Sequence, residues 1–195
     1  MLSHPLLTLP YATLALLILS LTRAPKGAYY LTLLAVAILT NLPLYYPLTL
    51  ALSLNDLTFS LTSKLSFFSL IFCALLVLEL LQFRQRRRFF IAPRGYLFVA
   101  LTSLVFFLSF LGILPLDLYY LPQASALGLT CALILCAYFF DKILALIYLL
   151  CLFAYTLRLF DTLSIFDYFF DAPSFIIALF ALSLIHISEP TRRLT

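Results

Sequence analysis

The acidic side chains that could do chemistry lie at two places in this chain. Glu79 is the one acidic residue deep inside an apolar run. A carboxylate inside a membrane is costly enough to make it a default candidate for a binding site or a proton relay. Asp161, Asp167 and Asp171 lie in an aromatic segment, RLFDTLSIFDYFFDAP (158–173). If this segment is helical, Asp167 and Asp171 share one face, where a hard cation, an amine or a proton would relieve their repulsion.

Each of these acidic groups also has a structural explanation. Glu79 lies one turn before the end of its apolar run, where it can pair with an arginine of its own helix end, such as Arg84. The aspartate segment is typical of an amphipathic helix on a membrane surface, because aromatic residues surround Asp167 and Asp171. The sequence leaves both explanations open, a transport or polar site and a structural role.

Other catalytic patterns are absent from the sequence. It contains no HExxH, GxSxG, GxxxxGKS or GxGxxG motif, which are the common signatures of zinc proteases, serine nucleophiles and nucleotide binding. The cysteines lie in apolar runs without CxxC spacing and predict neither disulfides nor redox chemistry; they are Cys73, Cys131, Cys136 and Cys151. We therefore expect no catalytic residue, metal or cofactor.

Basic residues concentrate in one run, QFRQRRRFFIAPRG (82–95). It holds five of the twelve Lys and Arg residues, namely Arg84, Arg86, Arg87, Arg88 and Arg94. Basic residues near a membrane surface attract anionic headgroups, at about 1 kcal/mol each. The run predicts a contact with anionic lipid. It does not predict nucleic-acid binding, because no soluble domain accompanies it.

The composition defines the environment. Of the 195 residues, 65% are hydrophobic and 10% are charged, with a mean hydropathy of +1.13, whereas a soluble domain carries roughly 25% charged residues. Such a chain needs lipid around it, where every backbone amide must be satisfied within the fold. The apolar runs do not alternate with polar residues as barrel strands do. The predicted fold is an all-α, polytopic transmembrane helical bundle.

Seven apolar runs predict seven spans, the last one incomplete. They cover about 6–21, 28–45, 65–83, 96–114, 124–140, 143–157 and 174 onward. A further segment, Leu48 to Leu61, is short and interrupted by polar residues, which favours an interfacial or re-entrant position. With the N-terminus outside, eight basic residues lie inside (Arg23, Lys26, the five of the arginine run and Lys142), against Lys64 and Arg158 outside. This imbalance supports the orientation.

Two stretches, SIFDYFFDAPSFIIAL and LDLYYLPQASALGL, resemble parts of small uncharacterised multi-pass inner-membrane proteins of proteobacteria. In that group an aromatic-Asp-Tyr motif followed by an Asp-Pro type turn opens the last span. Here Ala172 separates Asp171 from Pro173, which departs from the pattern. The resemblance implies a location in the bacterial inner (cytoplasmic) membrane and implies no activity.

The last residues are expected to differ in origin from the rest. Leu182 to Arg192 reads LSLIHISEPTR, which resembles the translation of a transposase-based sequencing adapter. We therefore expect a single integral membrane domain over residues 1–181 and a non-native tail over 182–195.

The expected function follows from this environment and from the missing motifs. The leading hypothesis is a non-enzymatic inner-membrane protein, structural or accessory to a membrane assembly. The alternative is a small transporter or permease-like subunit that uses Glu79 and the outer aspartates. An intramembrane enzyme for lipid-linked substrates would lack a nucleophile or metal motif. The expected partners are the bilayer, anionic headgroups at its inner face and other membrane proteins.

Overall fold

The chain folds into α-helices joined by short connectors. A computed structural model describes residues 5–22, 24–44, 52–62, 65–82, 90–115, 117–160 and 164–188. The helices are α1 (Thr8–Leu21), α2 (Lys26–Asn41), α3 (Leu54–Thr62), α4 (Phe67–Gln82), α5 (Pro93–Phe110), α6 (Gln123–Phe140), α7 (Lys142–Thr156) and α8 (Ala172–Ser188). Short 3-10 turns cover Pro5–Leu7 and Ile165–Tyr168. The described part of the chain has one small antiparallel pairing, of β1 (Pro43–Leu44) with β2 (Leu52–Ser53).

The described helices confirm the predicted all-α class and begin close to where the apolar runs do. The run predicted from 124 to 140 is α6, and the run predicted from 143 to 157 is α7. The short segment Leu48 to Leu61 contributes the nine-residue α3, which ends at Thr62. The boundary predicted after Ala181 lies inside α8, which continues to Ser188.

Length distinguishes two helices from the others. Within the described residues, only α5 and α6, of 18 residues each, are long and apolar enough to cross a membrane. Four further stretches are apolar but shorter: Thr8–Leu21, Phe67–Leu81, Lys142–Thr156 and Ala172–His186. The fold thus establishes a helical protein with two candidate membrane spans.

Aromatic rings from α4, α5 and α7 fill the centre of the bundle. The rings of Phe68 and Phe72 on α4 stack with centroids 5.2 Å apart. Phe68 also contacts Tyr148 of α7 at 5.1 Å, and Phe72 contacts Tyr96 of α5 at 5.8 Å. All four side chains are fully buried. Such ring pairs add specific geometry to the burial of a large apolar area.

The outer faces of the helices are apolar. Leu31 on α2 is 70% exposed and Phe139 on α6 is 84% exposed, and only 17% of α6 is buried. Polar side chains such as Thr13 and Ser69 are instead fully buried. Apolar faces of this extent mark contact with lipid or with other proteins.

Two helices end with a residue in the left-handed conformation. Gly112 follows α5 with a φ of 70°, and the Ile113 N–H donates back to Leu108 O at 3.0 Å. After α7 the same position is held by Arg158, with a φ of 51°. Glycine adopts this conformation freely, whereas a side chain makes it costly. The end of α7 is therefore strained and the end of α5 is not.

This difference predicts opposite effects for two substitutions. Arg158→Gly should raise the free energy of unfolding by about 1 kcal/mol, and Gly112→Ala should lower it by about the same amount. A Cβ at Gly112 would meet no atom within 4 Å, so its effect is conformational. Thermal unfolding followed by helical circular dichroism in detergent should show shifts of about 2–4 °C in opposite directions. Shifts of the same sign would contradict this explanation.

Candidate functional site

Asp171 joins the starts of two helices. It lies directly before α8, and its Oδ1 accepts from the Ser174 N–H at 2.9 Å, as an N-cap residue does. The same carboxylate reaches α4, where Oδ2 accepts from the Ser66 N–H at 2.9 Å and Oδ1 from the Ser69 hydroxyl at 2.5 Å. Negative charge at a helix N-terminus is stabilised by the helix dipole. One carboxylate here serves two helices.

Asp141 makes a second junction of the same kind. Its Oδ1 accepts from the backbone N–H groups of Ile143 and Leu144, at 2.7 and 3.1 Å, in the first turn of α7. Its Oδ2 accepts from the N–H of Ala92, directly before α5, at 2.7 Å. Asp141 was not among the predicted site residues. Its position directly before an apolar run was the available signal, because Asp is a preferred N-cap residue.

Gly95 allows the two helices at Asp141 to approach each other. A Cβ at this position would lie 2.6 Å from Ile91 Cγ2 and 3.2 Å from Asp141 Cβ. Ile91 is 2% exposed, so it has little room to move away. The junction of α5 with α7 therefore depends on a residue without a side chain.

Asp167 and Asp171 do not share a helical face. The 3-10 turn around Asp167 ends at Tyr168, and Asp171 caps the next helix. Asp167 accepts a hydrogen bond from the Tyr119 hydroxyl instead. Burial, together with the Asp167 carboxylate, raises the pKa of Tyr119 to about 12, so the phenol keeps its proton at neutral pH and can donate. This bond ties the 111–122 connector to the 3-10 turn.

The structure therefore does not assemble the predicted acidic pair into a cation site. Asp167 and Asp171 each have their own donors. Asp161 lies outside the described residues. Among the residues that the structure describes, no group of three or more His, Cys, Asp or Glu side chains could hold a metal ion.

Glu79 has fewer hydrogen-bond donors around it than Asp141 and Asp171 have. It lies in the last turn of α4 and is only 6% exposed. Its Oε1 accepts from the Phe90 N–H at 3.1 Å. Its Oε2 is buried and has no hydrogen-bond partner in the described part of the chain. The phenol of Tyr96, on α5, lies within electrostatic reach of both Glu79 and Asp141.

The predicted lipid-contact residues are mostly outside what the structure describes. These are Arg84, Arg86, Arg87 and Arg88. Arg94 is described, in the first turn of α5, and its side chain is exposed. The predicted pairing of Glu79 with an arginine of its own helix end therefore stays a prediction.

A polar cluster that the sequence analysis missed holds α3 in place. Asn55 is fully buried, and its Nδ2 donates to Thr8 Oγ1 at 2.9 Å and to Asn41 Oδ1 at 3.0 Å. Thr8 also accepts from the Thr40 hydroxyl at 3.2 Å. The start of α1, the end of α2 and α3 therefore meet through side-chain hydrogen bonds.

The four cysteines are free. Cys73 and Cys151 are buried in the bundle, whereas Cys131 and Cys136 lie on the exposed face of α6. The face of α6 that carries Cys131 and Cys136 is itself apolar, with Leu135 and Phe139 exposed.

Comparison with known proteins gives no relative. The chain matches no protein-family model, no curated protein and no solved structure. Functional inference therefore rests on the geometry of its own residues.

The helix junctions predict a large loss of stability on removal of either carboxylate. Asp171→Ala and Asp141→Ala should each lower the free energy of unfolding by about 2–4 kcal/mol, because each leaves helix N–H groups of two helices without an acceptor. Asp117→Ala is the matched control: Asp117 is exposed and has no described hydrogen bond, so a change within about 0.5 kcal/mol is expected. Denaturant titration in detergent measures the difference. Equal effects in all three variants would refute the junctions.

Two glycine substitutions test the close approach of α5 and α7. Gly95→Ala should destabilise the protein by about 1–3 kcal/mol, because the added methyl group overlaps buried neighbours. Gly128→Ala on α6 meets no atom within 4 Å and should be neutral or stabilising by up to about 1 kcal/mol. The same titration compares the two variants, and a tolerated Gly95→Ala would contradict the packing described for Asp141.

Proposed function

We propose that the chain is a multi-pass helical protein of the bacterial inner membrane, with its N-terminus outside, and that it is a structural or accessory part of a membrane assembly. The observation that carries the proposal is the distribution of polarity. Large apolar side chains cover the outer faces of α2, α5, α6 and α7, while the carboxylates of Asp141 and Asp171 are used to join helices. This arrangement suits a lipid surrounding.

The junctions also support seven crossings in alternating directions. In that layout α4 and α8 both run inward from the outer side, so their starts meet at Asp171 there. The helices α5 and α7 both run outward from the inner side, so their starts meet at Asp141 on that side. The polar contact between Thr8 at the start of α1 and Asn41 at the end of α2 fits the same layout.

The shorter helices do not by themselves reach across the hydrocarbon of a bilayer. Helices of 14 and 15 residues, such as α1 and α7, span only about 21–23 Å at 1.5 Å per residue, against about 30 Å of hydrocarbon. Local thinning of the bilayer or the flanking residues must make up the difference. The basic run at 82–95 is proposed to contact anionic headgroups at the inner face.

A structural or accessory role is favoured over transport by what the aspartates do. A permeation path needs polar groups that are free to bind a passing solute. Asp167 and Asp171 are instead occupied by hydrogen bonds, which they accept from Tyr119 and from helix starts respectively. A small transporter or permease-like subunit is the second candidate, and a single observation supports it. That observation is the buried Oε2 of Glu79 without a described partner.

Reporter fusions at four positions test the span count. With seven spans, fusions after Leu42, Asp117 and Leu159 should report the outer side, and a fusion after Phe90 should report the inner side. Alkaline phosphatase and a fluorescent protein, active on opposite sides, provide the measurement.

The same fusions separate seven crossings from two. If only α5 and α6 cross, the Leu42, Phe90 and Leu159 fusions all report one side and the Asp117 fusion the other. An Asp117 fusion on the same side as Phe90 would exclude even the crossing by α5, and a cytoplasmic signal at all four positions would refute the membrane proposal.

A further inference from the structure

Glu79 is the described carboxylate that is buried, and it has few hydrogen-bond donors. Two or three hydrogen bonds or a paired cation support the charged form of a carboxylate that is taken out of water. Asp141 and Asp171, which are half-buried, accept from three donors each. Glu79 is 6% exposed and accepts one described bond, from the Phe90 N–H. The second oxygen, Oε2, is enclosed without a described partner.

The groups around Glu79 do not supply the missing positive charge. The buried Tyr96 phenol of α5 interacts electrostatically with Glu79 and with the Asp141 carboxylate before α7. On α2, Tyr29 packs beside α4 in a cluster with Val77. The described basic side chains at this end of the neighbouring helices are exposed, and none forms a described ion pair with Glu79; they are Lys26, Arg94, Lys142 and His186. Arg23 and the arginines at 84–88 lie outside the described residues.

A metal cation does not fit this site as well as a proton does. Hard cations take six or more oxygen ligands, and no cluster of acidic or other ligating side chains surrounds Glu79 in the described structure. Its one described partner is an N–H donor, which would repel a cation. A proton needs only one oxygen, and Oε2 is the oxygen that no described donor occupies.

We propose that Glu79 is a proton-binding site, in which Oε2 takes up one proton from the arginine-run side of the bundle and releases it there again. Uptake converts the carboxylate to the neutral acid, whose Oε2 then carries an O–H group. Neutralisation removes the cost of holding a charge inside the membrane. The inference rests on the proposed membrane location and gives the transport candidate a defined ligand, the proton.

A hydrophobic carbodiimide tests the site in native membranes that contain the full chain. Dicyclohexylcarbodiimide takes the proton of a neutral carboxylic acid on its nitrogen, and the carboxylate oxygen bonds to its central carbon, so the whole reagent is added. Mass spectrometry should find one reagent on the peptide that contains Glu79. Labelling should fall about tenfold for each pH unit above the titration midpoint and should be unchanged by added Na⁺.

Two variants show whether the carbodiimide adduct is on Glu79. Glu79→Gln should remove this adduct, and Asp117→Asn, at an exposed carboxylate, should leave it at the wild-type level. No adduct at Glu79 at any pH, or an adduct independent of pH, would overturn the proposal. Protection by Na⁺ would overturn it in favour of a metal cation.

A water-soluble carbodiimide separates this proposal from the membrane proposal. Preference for the hydrophobic reagent at Glu79 supports a site inside lipid. Equal labelling by both reagents, with the pH dependence retained, would contradict the membrane location and leave the proton site standing. Loss of the pH dependence, with the reporter fusions behaving as expected, would refute the proton site alone.

Discussion

Hydrogen bonds from two helix N-termini to one aspartate hold this bundle together. A helix start has N–H groups without intrahelical partners, and where such groups are shielded from water they need another acceptor. Asp171 and Asp141 each satisfy such groups on two helices at once, α8 with α4 and α7 with α5. Each bond therefore fixes both a helix start and its position beside a neighbour. Extensive packing of α5 against α8 connects the two junctions.

Between the junctions at Asp141 and Asp171, the shapes of the packed side chains determine which helix faces meet. In the proposed membrane location, apolar burial gives little driving force between helices, so packing and polar contacts decide which faces meet. Bundles often use glycine for close approach, but this chain has four glycines, and only Gly95 lies where a Cβ would overlap its neighbours. The stacked pair Phe68 and Phe72, with Tyr148 against it, fills the interior instead.

The helices could be predicted from the sequence because hydropathy is a local property. The starts of α6 and α7 were placed within one residue of where they occur. The partners of the carboxylates could not be predicted, because Ala92 and Asp141 are 49 residues apart and meet only through tertiary packing. The expectation of a shared face for Asp167 and Asp171 assumed one continuous helix. The 3-10 turn instead ends at Tyr168, and Asp171 is the N-cap of the next helix, α8.

The direction of a helix explains why Glu79 differs from the aspartates. Asp141 and Asp171 lie at helix starts, where N–H groups and the positive end of the dipole support a negative charge. Glu79 lies in the last turn of α4, where the free backbone groups are carbonyls, which cannot donate, and where the dipole opposes negative charge. Its described donor, the Phe90 N–H, comes from the chain beyond the helix. The same chemical group is therefore supported as an anion at one end of a helix and favoured as a neutral acid at the other.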